Sequence, residues 1–204
     1  MSKVILINPP FNINKENYDS SISVGLLSIA SYLDSHNINV DIIDGVRQKD
    51  YLELIKEEIK DCSYAGISVM TTQIPHALDI CRLIRKLNSR CKIVWGGAHP
   101  SLFIEQTANH PLVDIVVYGE GEITMNQIVK NKLLSEIKGI AYKENNKRII
   151  NDPQELHNPA ETDLFNWELM PKEILENLYL IPSLTSRGCP HQCAFCINAI
   201  LKNR

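Results

Sequence analysis

The chain has 204 residues, a formal net charge of −3, 44% hydrophobic residues and 22% charged residues. This composition is typical of a globular protein and excludes a disordered chain. The near-neutral charge provides no basic field for nucleic acid or an anionic membrane surface, and no apolar run approaches the roughly 20 residues needed to cross a bilayer. The residues from Val4 onward contain no small-residue cleavage site, which argues against a signal peptide. We therefore expect a cytoplasmic protein without nucleic-acid or membrane partners.

Five short apolar runs in the first two thirds of the chain are continuous, as strands buried on both faces of a sheet are. Between them, apolar residues recur at helical spacing. This alternation predicts an α/β fold: a flavodoxin-like, Rossmann-type sheet of five parallel strands in the order 2-1-3-4-5, with helices on both faces. The strands are predicted at Val4–Ile7, Val40–Ile43, Ala65–Val69, Ile93–Trp95 and Asp114–Val117, and the helices over Ile22–Leu33, Leu52–Ile59, Ala77–Ile84 and from Met125.

The chain changes character after about residue 135. Gly139–Lys143 and Lys147–Ile150 flank two asparagines that suit a hairpin turn. Prolines among polar residues then predict an irregular linker, with a short helix over Pro171–Glu176, and Leu180–Thr185 predicts one more strand. The sequence therefore predicts a domain over residues 1–135, a hairpin and linker over 136–178, and the start of a further domain over 179–204.

A C-x3-C-x2-C motif, formed by Cys189, Cys193 and Cys196, directly follows the last predicted strand. Three thiolates from one loop suit a soft metal centre. They are one short of the four that usually hold a 4Fe–4S cluster, so one iron would stay open to a small molecule. Zinc is the alternative, although His191 is poorly spaced to complete a tetrahedron with these cysteines. The other three cysteines lie in or beside apolar elements and are expected to be inert core residues: Cys62, Cys81 and Cys91.

The loop after the first strand, which begins Asn8-Pro9-Pro10, narrows the choice of ligand, because open α/β sheets bind ligands beyond the carboxyl ends of their strands. It lacks the acidic residues of a phospho-receiver domain and the G-x-G-x-x-G of a dinucleotide-binding fold. It also lacks the hydroxyl-rich phosphate loop of a flavodoxin, and its two prolines remove amide donors. These three ordinary ligand classes are therefore disfavoured.

Several motifs follow one another in a characteristic order: Asn8-Pro9-Pro10, Gly25-Leu26-Leu27, Ile42-Ile43-Asp44, Gly96-Gly97-Ala98-His99-Pro100, Asp114, Tyr118-Gly119-Glu120-Gly121-Glu122 and Gly139-Ile140-Ala141-Tyr142. Together with the cysteine motif and the aromatic Phe195 before its last cysteine, this order resembles the cobalamin-binding radical S-adenosylmethionine proteins. The resemblance covers nearly the whole chain. In it, the last predicted strand corresponds to the first strand of a radical S-adenosylmethionine barrel.

The resemblance implies three cofactors: cobalamin, a 4Fe–4S cluster and S-adenosylmethionine. Cys189, Cys193 and Cys196 would hold the cluster, its open iron would chelate S-adenosylmethionine, and Phe195 would lie near the adenine. Small residues are needed where the flat nucleotide tail of cobalamin passes the backbone. The implied cobalamin contacts are Asn8, Pro9, Pro10, Ser68, Met70, Gly96, Gly97, His99, Gly119 and Gly121.

The first loop departs from the Asp-x-His-x-x-Gly pattern of other cobalamin domains, because it carries no histidine. The resemblance therefore implies base-off binding without a protein histidine on cobalt. His99 could face the corrin or act as a hydrogen-bonding loop residue. Glu120 and Glu122 could contact the ligand or interact with the dipole of the helix that they open.

The two halves together imply the cofactor-binding portion of an enzyme that transfers a methyl group, or forms a ring, by radical chemistry. Two alternatives remain open: a stand-alone corrinoid carrier, and a scaffold that binds no cobalamin. Only eight residues follow Cys196, whereas an α/β barrel takes roughly 200 residues or more. We therefore expect a truncated chain that lacks the substrate pocket and is inactive alone, with exposed apolar surface that favours a homodimer.

Overall fold

The structure is a computed structural model that describes residues 3–11, 22–156, 158, 165–178, 180–182, 186–191 and 193–198. Within these residues, seven strands form one sheet in the order β2-β1-β3-β4-β5-β6-β7. The strands are β1 (Lys3–Asn8), β2 (Val40–Asp44), β3 (Cys62–Ser68), β4 (Lys92–Gly96), β5 (Ile115–Val117), β6 (Ile140–Glu144) and β7 (Lys147–Ile150).

The first five strands are parallel and confirm the predicted order 2-1-3-4-5. Their apolar runs are continuous because helices cover both faces of the sheet. Alternate residues of β1 illustrate this arrangement: Leu6 belongs to the apolar core on one face, and Ile5 and Ile7 belong to the core on the other. All three side chains are buried.

Seven α-helices complete the described fold, and the two faces of the sheet receive different helices. The helices are α1 (Val24–Ser35), α2 (Tyr51–Glu58), α3 (Ile74–Leu87), α4 (Ala98–Leu102), α5 (Ile104–Asn109), α6 (Glu122–Val129) and α7 (Lys172–Glu176). Leu27 of α1 and Ile128 of α6 lie in the core on one face, whereas Ile55 of α2 and Ile80 of α3 lie in the core on the other. Helices α1 and α6 also pack against each other.

The connection between β4 and β5 contains two short helices for which the periodicity gave no signal. Helix α4 has five residues and α5 has six, and Phe103 separates them with a non-helical backbone (φ −124°, ψ 52°). Elements of this length span fewer than two turns, so they cannot display a full helical repeat of apolar residues.

The predicted hairpin is confirmed. Strands β6 and β7 pair antiparallel, and both turn residues have positive φ, 51° at Asn145 and 61° at Asn146, as a type I′ turn requires. The hairpin also joins the main sheet, because Ala141 of β6 pairs antiparallel with Val116 of β5. The sheet therefore has seven strands rather than five, and it continues past residue 135, where the sequence predicted a domain boundary.

The segment before the cysteine motif agrees only in part with its prediction. The short helix is confirmed as α7, which begins after Pro171. Residues Leu180–Pro182 are not in a strand, and 183–185 lie outside the described residues. A strand is stabilised by a paired neighbour, and none of the described strands lies beside Leu180, whose residue surface is 80% exposed. None of the helices that the structure describes is long and apolar enough to cross a membrane.

Candidate cofactor site

A cavity of about 380 Å³ lies between the sheet and helices α1 and α6, at the carboxyl ends of the parallel strands. Leu6, Gly66 and Val94 contribute its floor from three neighbouring strands, in register across the sheet. Val24 and Met125 contribute from the two helices. The volume falls in the range of small-molecule sites, and this edge of an open α/β sheet is where ligands usually bind.

Glycines create much of this cavity. A Cβ atom on Gly66 would lie 2.7 Å from Cδ2 of Leu6, so the missing side chain lets Leu6 pack across the neighbouring strand. At Gly96, by contrast, a Cβ atom would meet no heavy atom closer than 3.7 Å. The end of β4 therefore exposes backbone to the cavity, and a flat ligand can approach that backbone closely.

Two loops at the mouth of the cavity require the left-handed backbone region that favours glycine. Gly97 has φ 98° after β4, and Gly119 has φ 80° after β5. A Cβ atom on Gly97 would also lie 3.0 Å from the backbone nitrogen of Val69. These constraints fix the two turns beside the cavity.

The structure brings half of the residues predicted as cobalamin contacts together at this cavity. Its lining includes Ser68, Gly96, Gly97, Gly119 and Gly121. The other five predicted contacts are not among the lining residues: Asn8, Pro9, Pro10, Met70 and His99. For all ten residues, contact with cobalamin stays a prediction.

Asn8 and Pro9 take part in a buried polar network at the end of β1. The side chain of Asn8 donates to Asp44 Oδ1 at 2.9 Å, while Gln73 Nε2 donates to Asn8 Oδ1 at 2.9 Å and to the carbonyl of Pro9 at 2.6 Å. Burial raises the pKa of Asp44, although hydrogen bonds from Val46 and Asn8 oppose that effect. The network fixes Asn8 and Pro9 at the end of β1, and neither residue lines the cavity.

Met70 and His99 each come two residues after a residue that lines the cavity, Ser68 and Gly97 respectively. The His99 side chain is buried, with Nδ1 3.2 Å from Thr71 Oγ1 and its ring centroid 4.9 Å from that of Phe103. Burial lowers the pKa of His99, so the neutral imidazole is favoured. Met70 is 52% exposed in the loop after β3.

A buried polar cluster closes one side of the otherwise apolar cavity. Glu122 opens α6, and its Oε1 accepts hydrogen bonds from Ser28 Oγ at 2.6 Å and from Arg187 Nη2 at 2.7 Å. Arg187 also donates to Ser28 Oγ at 2.7 Å, and its Nη1 lies 3.9 Å from Glu120 Oε1. Burial alone would raise the pKa of Glu122, but the hydrogen bonds from Arg187 and Ser28 outweigh it, so the pKa lies below its ordinary value.

The second carboxylate oxygen of Glu122 is buried and has no hydrogen-bond partner within the described part of the chain. Glu122 lines the cavity. A buried acceptor without a partner is costly unless a ligand or water satisfies it. This oxygen therefore provides a place where a ligand in the cavity could donate a hydrogen bond.

The cavity lining includes residues that were not predicted from the sequence, among them Ser28, Gly66 and Arg187. A signal existed for Gly66, because an isolated glycine within an apolar strand often marks a close approach to the backbone. For Ser28 and Arg187 there was no local signal, since they are 159 positions apart in the sequence and meet only through the fold.

The cysteine motif lies in an exposed loop. Cys193 is exposed, Cys189 and Cys196 are half-buried, and the amide of Cys196 donates to the carbonyl of Cys193 at 3.0 Å in a turn. Among the residues that the structure describes, no three His, Cys, Asp or Glu side chains converge in a way that could hold a metal ion. The three thiols are chemically suited to a 4Fe–4S cluster, but their positions in this structure do not form a binding site for one. Phe195 is 94% exposed.

The remaining cysteines are buried, as predicted. Burial raises the pKa of the Cys62 thiol to about 11 and the pKa values of Cys81 and Cys91 to about 12. These thiols stay protonated at neutral pH, and because the thiolate is the reactive form, they are inert compared with the exposed Cys193.

The parallel sheet with a glycine-lined cavity at its carboxyl edge defines a small-molecule-binding α/β domain. Residues 18–129 match the B12 binding domain, which is more than half of the chain. The chain therefore belongs to the B12-binding domain family, and the resemblance to the cobalamin-binding radical S-adenosylmethionine proteins is confirmed.

Two curated relatives illustrate this membership. An uncharacterized methyltransferase of Pyrococcus horikoshii is 30% identical over 97% of this chain and 46% of its own length. The anaerobic magnesium-protoporphyrin IX monomethyl ester cyclase of Synechocystis is 26% identical over 95% of this chain and 42% of its own length. The chain thus spans less than half the length of these relatives.

Solved structures show the same fold at lower sequence identity. The radical S-adenosylmethionine methyltransferase TsrM from Kitasatospora setae matches with a TM-score of 0.60 and 19% identity over 76% of this chain and 31% of its own. The cobalamin-dependent S-adenosylmethionine radical enzyme OxsB matches with a TM-score of 0.63 and 22% identity, over 76% of this chain and 23% of its own.

Proposed function

We propose that this chain binds cobalamin in the cavity between the sheet and helices α1 and α6, as the cofactor-binding portion of a cobalamin-dependent radical S-adenosylmethionine enzyme. The observation that carries the proposal is the glycine-lined cavity at the carboxyl ends of the strands, within the span that matches the B12 binding domain.

The cavity residues fit the nucleotide tail of cobalamin. Gly96 leaves backbone uncovered, which suits a flat aromatic base, and the apolar side chains of Leu6 and Met125 exclude water around it. The unpartnered oxygen of Glu122 is suited to accept a hydrogen bond from the ligand.

Bound cobalamin would supply a cobalt-held methyl group or a redox-active cobalt centre. The role of this chain is to hold that cofactor, orient it at the edge of the sheet and keep water from its tail. The relatives whose names include methyltransferase favour methyl transfer for the whole protein, and the cyclase favours ring formation as the second outcome. The chain covers less than half of these relatives, so the substrate is not assigned.

We also propose that Cys189, Cys193 and Cys196 bind a 4Fe–4S cluster whose open iron takes S-adenosylmethionine. Their C-x3-C-x2-C spacing supports this proposal, as does the resemblance to the cobalamin-binding radical S-adenosylmethionine proteins. In the present structure the thiols are not gathered, so binding would require the loop to reorganise around the iron.

Titration of the full 204-residue chain with methylcobalamin in the dark tests the cobalamin proposal. The methyl group occupies the upper face of cobalt and keeps exposed thiols from coordinating it. We expect the cofactor to co-elute with the protein on gel filtration and its absorption spectrum to change to the base-off form. Separate elution with an unchanged spectrum would contradict cobalamin binding and leave the scaffold alternative.

Anaerobic reconstitution with iron and sulfide tests the cluster proposal. We expect the wild-type chain to gain the iron content and low-temperature electron paramagnetic resonance signal of a reduced 4Fe–4S cluster, and Cys193→Ala to lose both because one of three ligands is removed. Cys81→Ala is the matched control, since that thiol is buried far from the motif in sequence. Equal iron content in the wild type and Cys193→Ala would contradict the assignment and favour the corrinoid carrier.

A further inference from the structure

Arg187 joins the segment that carries the cysteine motif to the cavity wall. Its guanidinium contacts Glu122 and Ser28, each at 2.7 Å, from a position two residues before Cys189. Only 14% of the Arg187 side chain and 4% of the Glu122 side chain are exposed. The contact is therefore a buried, hydrogen-bonded ion pair and not a surface pair that solvent and salt would screen.

Moving only one partner out of this ion pair is costly. If Arg187 moved away, the buried carboxylate of Glu122 would lose its charge partner and keep only the hydroxyl of Ser28. An uncompensated buried charge is strongly destabilising, so the start of the cysteine loop stays against α1 and α6 while Glu122 is ionised.

The neighbours of Arg187 also face the cavity. The lining includes Ser186, Arg187 and Gly188. It also includes Gly25 of α1 and Gly121, which directly precedes α6. A ligand in the cavity therefore contacts both the α/β domain and the three residues that immediately precede Cys189. These three residues therefore link a ligand bound in the cavity to the position of the cysteine loop.

We infer that Arg187 is a positioning residue that couples the cofactor cavity to the cysteine loop through its ion pair with Glu122. This inference rests on the proposed function, because cobalamin is the ligand whose binding it transmits. Coupling of this kind is reciprocal: a ligand that stabilises one arrangement of the loop is itself bound more tightly by that arrangement.

Thiol alkylation followed by mass spectrometry tests the inference without any need for turnover. The rate at which N-ethylmaleimide modifies Cys193 and Cys196 is measured in the full chain, with and without saturating methylcobalamin. We expect methylcobalamin to slow alkylation by about fivefold, the lower end of typical coupling between sites. The buried thiols of Cys62 and Cys81 report within the same sample on global unfolding.

Three variants separate coupling from general stability. In Arg187→Met, we expect methylcobalamin to bind more weakly, because the coupling is reciprocal, and at saturation to leave the alkylation rates of Cys193 and Cys196 unchanged. Arg187→Lys keeps the charge and should restore part of the protection. Arg82→Met is the control, because Arg82 forms an exposed pair with Asp79 on α3, and it should respond to methylcobalamin as the wild type does.

The outcomes distinguish this inference from the proposed function. If methylcobalamin fails to bind the wild type, both are overturned. If it binds while wild-type alkylation does not change, the inference alone is overturned. Equal protection in wild type and Arg187→Met would also overturn it, since the coupling would then not pass through the guanidinium. If Arg187→Met does not fold, Glu122→Gln takes its place, because it removes the charged partner of Arg187. Loss of protection is again the expected result, and protection equal to that of the wild type would overturn the inference.

Discussion

Replacing Gly96 by leucine is expected to weaken methylcobalamin binding by about 100-fold, which corresponds to about 2.7 kcal/mol at 25 °C. Gly96 lies at the end of β4 and lines the cavity, so the new side chain would occupy space that the cofactor tail needs. The backbone should accept the change, because a Cβ atom there makes only ordinary contacts with Val117, at 3.7 and 3.8 Å. Affinity would be measured by absorption titration.

A matched control for this substitution is Lys92→Leu at the opposite, exposed end of the same strand. It adds a leucine to β4 without entering the cavity, and we expect its affinity to equal that of the wild type. Both variants should retain the wild-type circular dichroism spectrum. Wild-type affinity in a folded Gly96→Leu protein would show that the cofactor tail does not enter this cavity.

The second large effect is expected on stability rather than on binding. Ile80 lies in α3, is fully buried, and belongs to the core on the face of the sheet opposite the cavity. Ile80→Ala should lower the free energy of unfolding by about 2–5 kcal/mol, because it removes buried methylene groups and leaves a void. Urea denaturation followed by circular dichroism would measure the loss.

Binding by the folded fraction of Ile80→Ala should stay within about twofold of wild type, since mutations at separate sites usually act independently. Leu87→Ala, at the exposed end of the same helix, is the control and should change stability by less than about 0.5 kcal/mol. A tenfold loss of affinity in Ile80→Ala would mean that the two faces of the sheet are not independent.

The sequence predicted the parallel part of the sheet because each strand is a continuous apolar run and each long helix has an apolar stripe. It did not predict that the hairpin would join this sheet. Gly139–Lys143 and Asn145-Asn146 specify a turn and two paired strands locally, but they do not specify the strand beside which the hairpin docks. That choice depends on the uncovered edge of β5, a property of the assembled fold.

The sequence predicted those parts of the site that lie within one short motif, and it did not predict contacts between residues that are distant in the sequence. Gly96 ends β4, and Gly97, Gly119 and Gly121 stand in the turns that follow β4 and β5, so the local motifs that carry the family resemblance included them. The Arg187–Glu122 pair joins residues 65 positions apart. A single sequence offers no means of pairing those charges, since each residue alone is compatible with solvent exposure.

The hairpin also determines which strand forms one of the two edges of the sheet. Among the strands that the structure describes, β7 is the outermost on that side, and it begins with two cations, Lys147 and Arg148. Nη2 of Arg148 lies 3.1 Å from Oε2 of Glu105, and this ion pair connects the edge strand to helix α5. Charged side chains on an edge strand oppose its pairing with the edge of another copy, so the docked hairpin protects this side of the sheet from aggregating strand by strand.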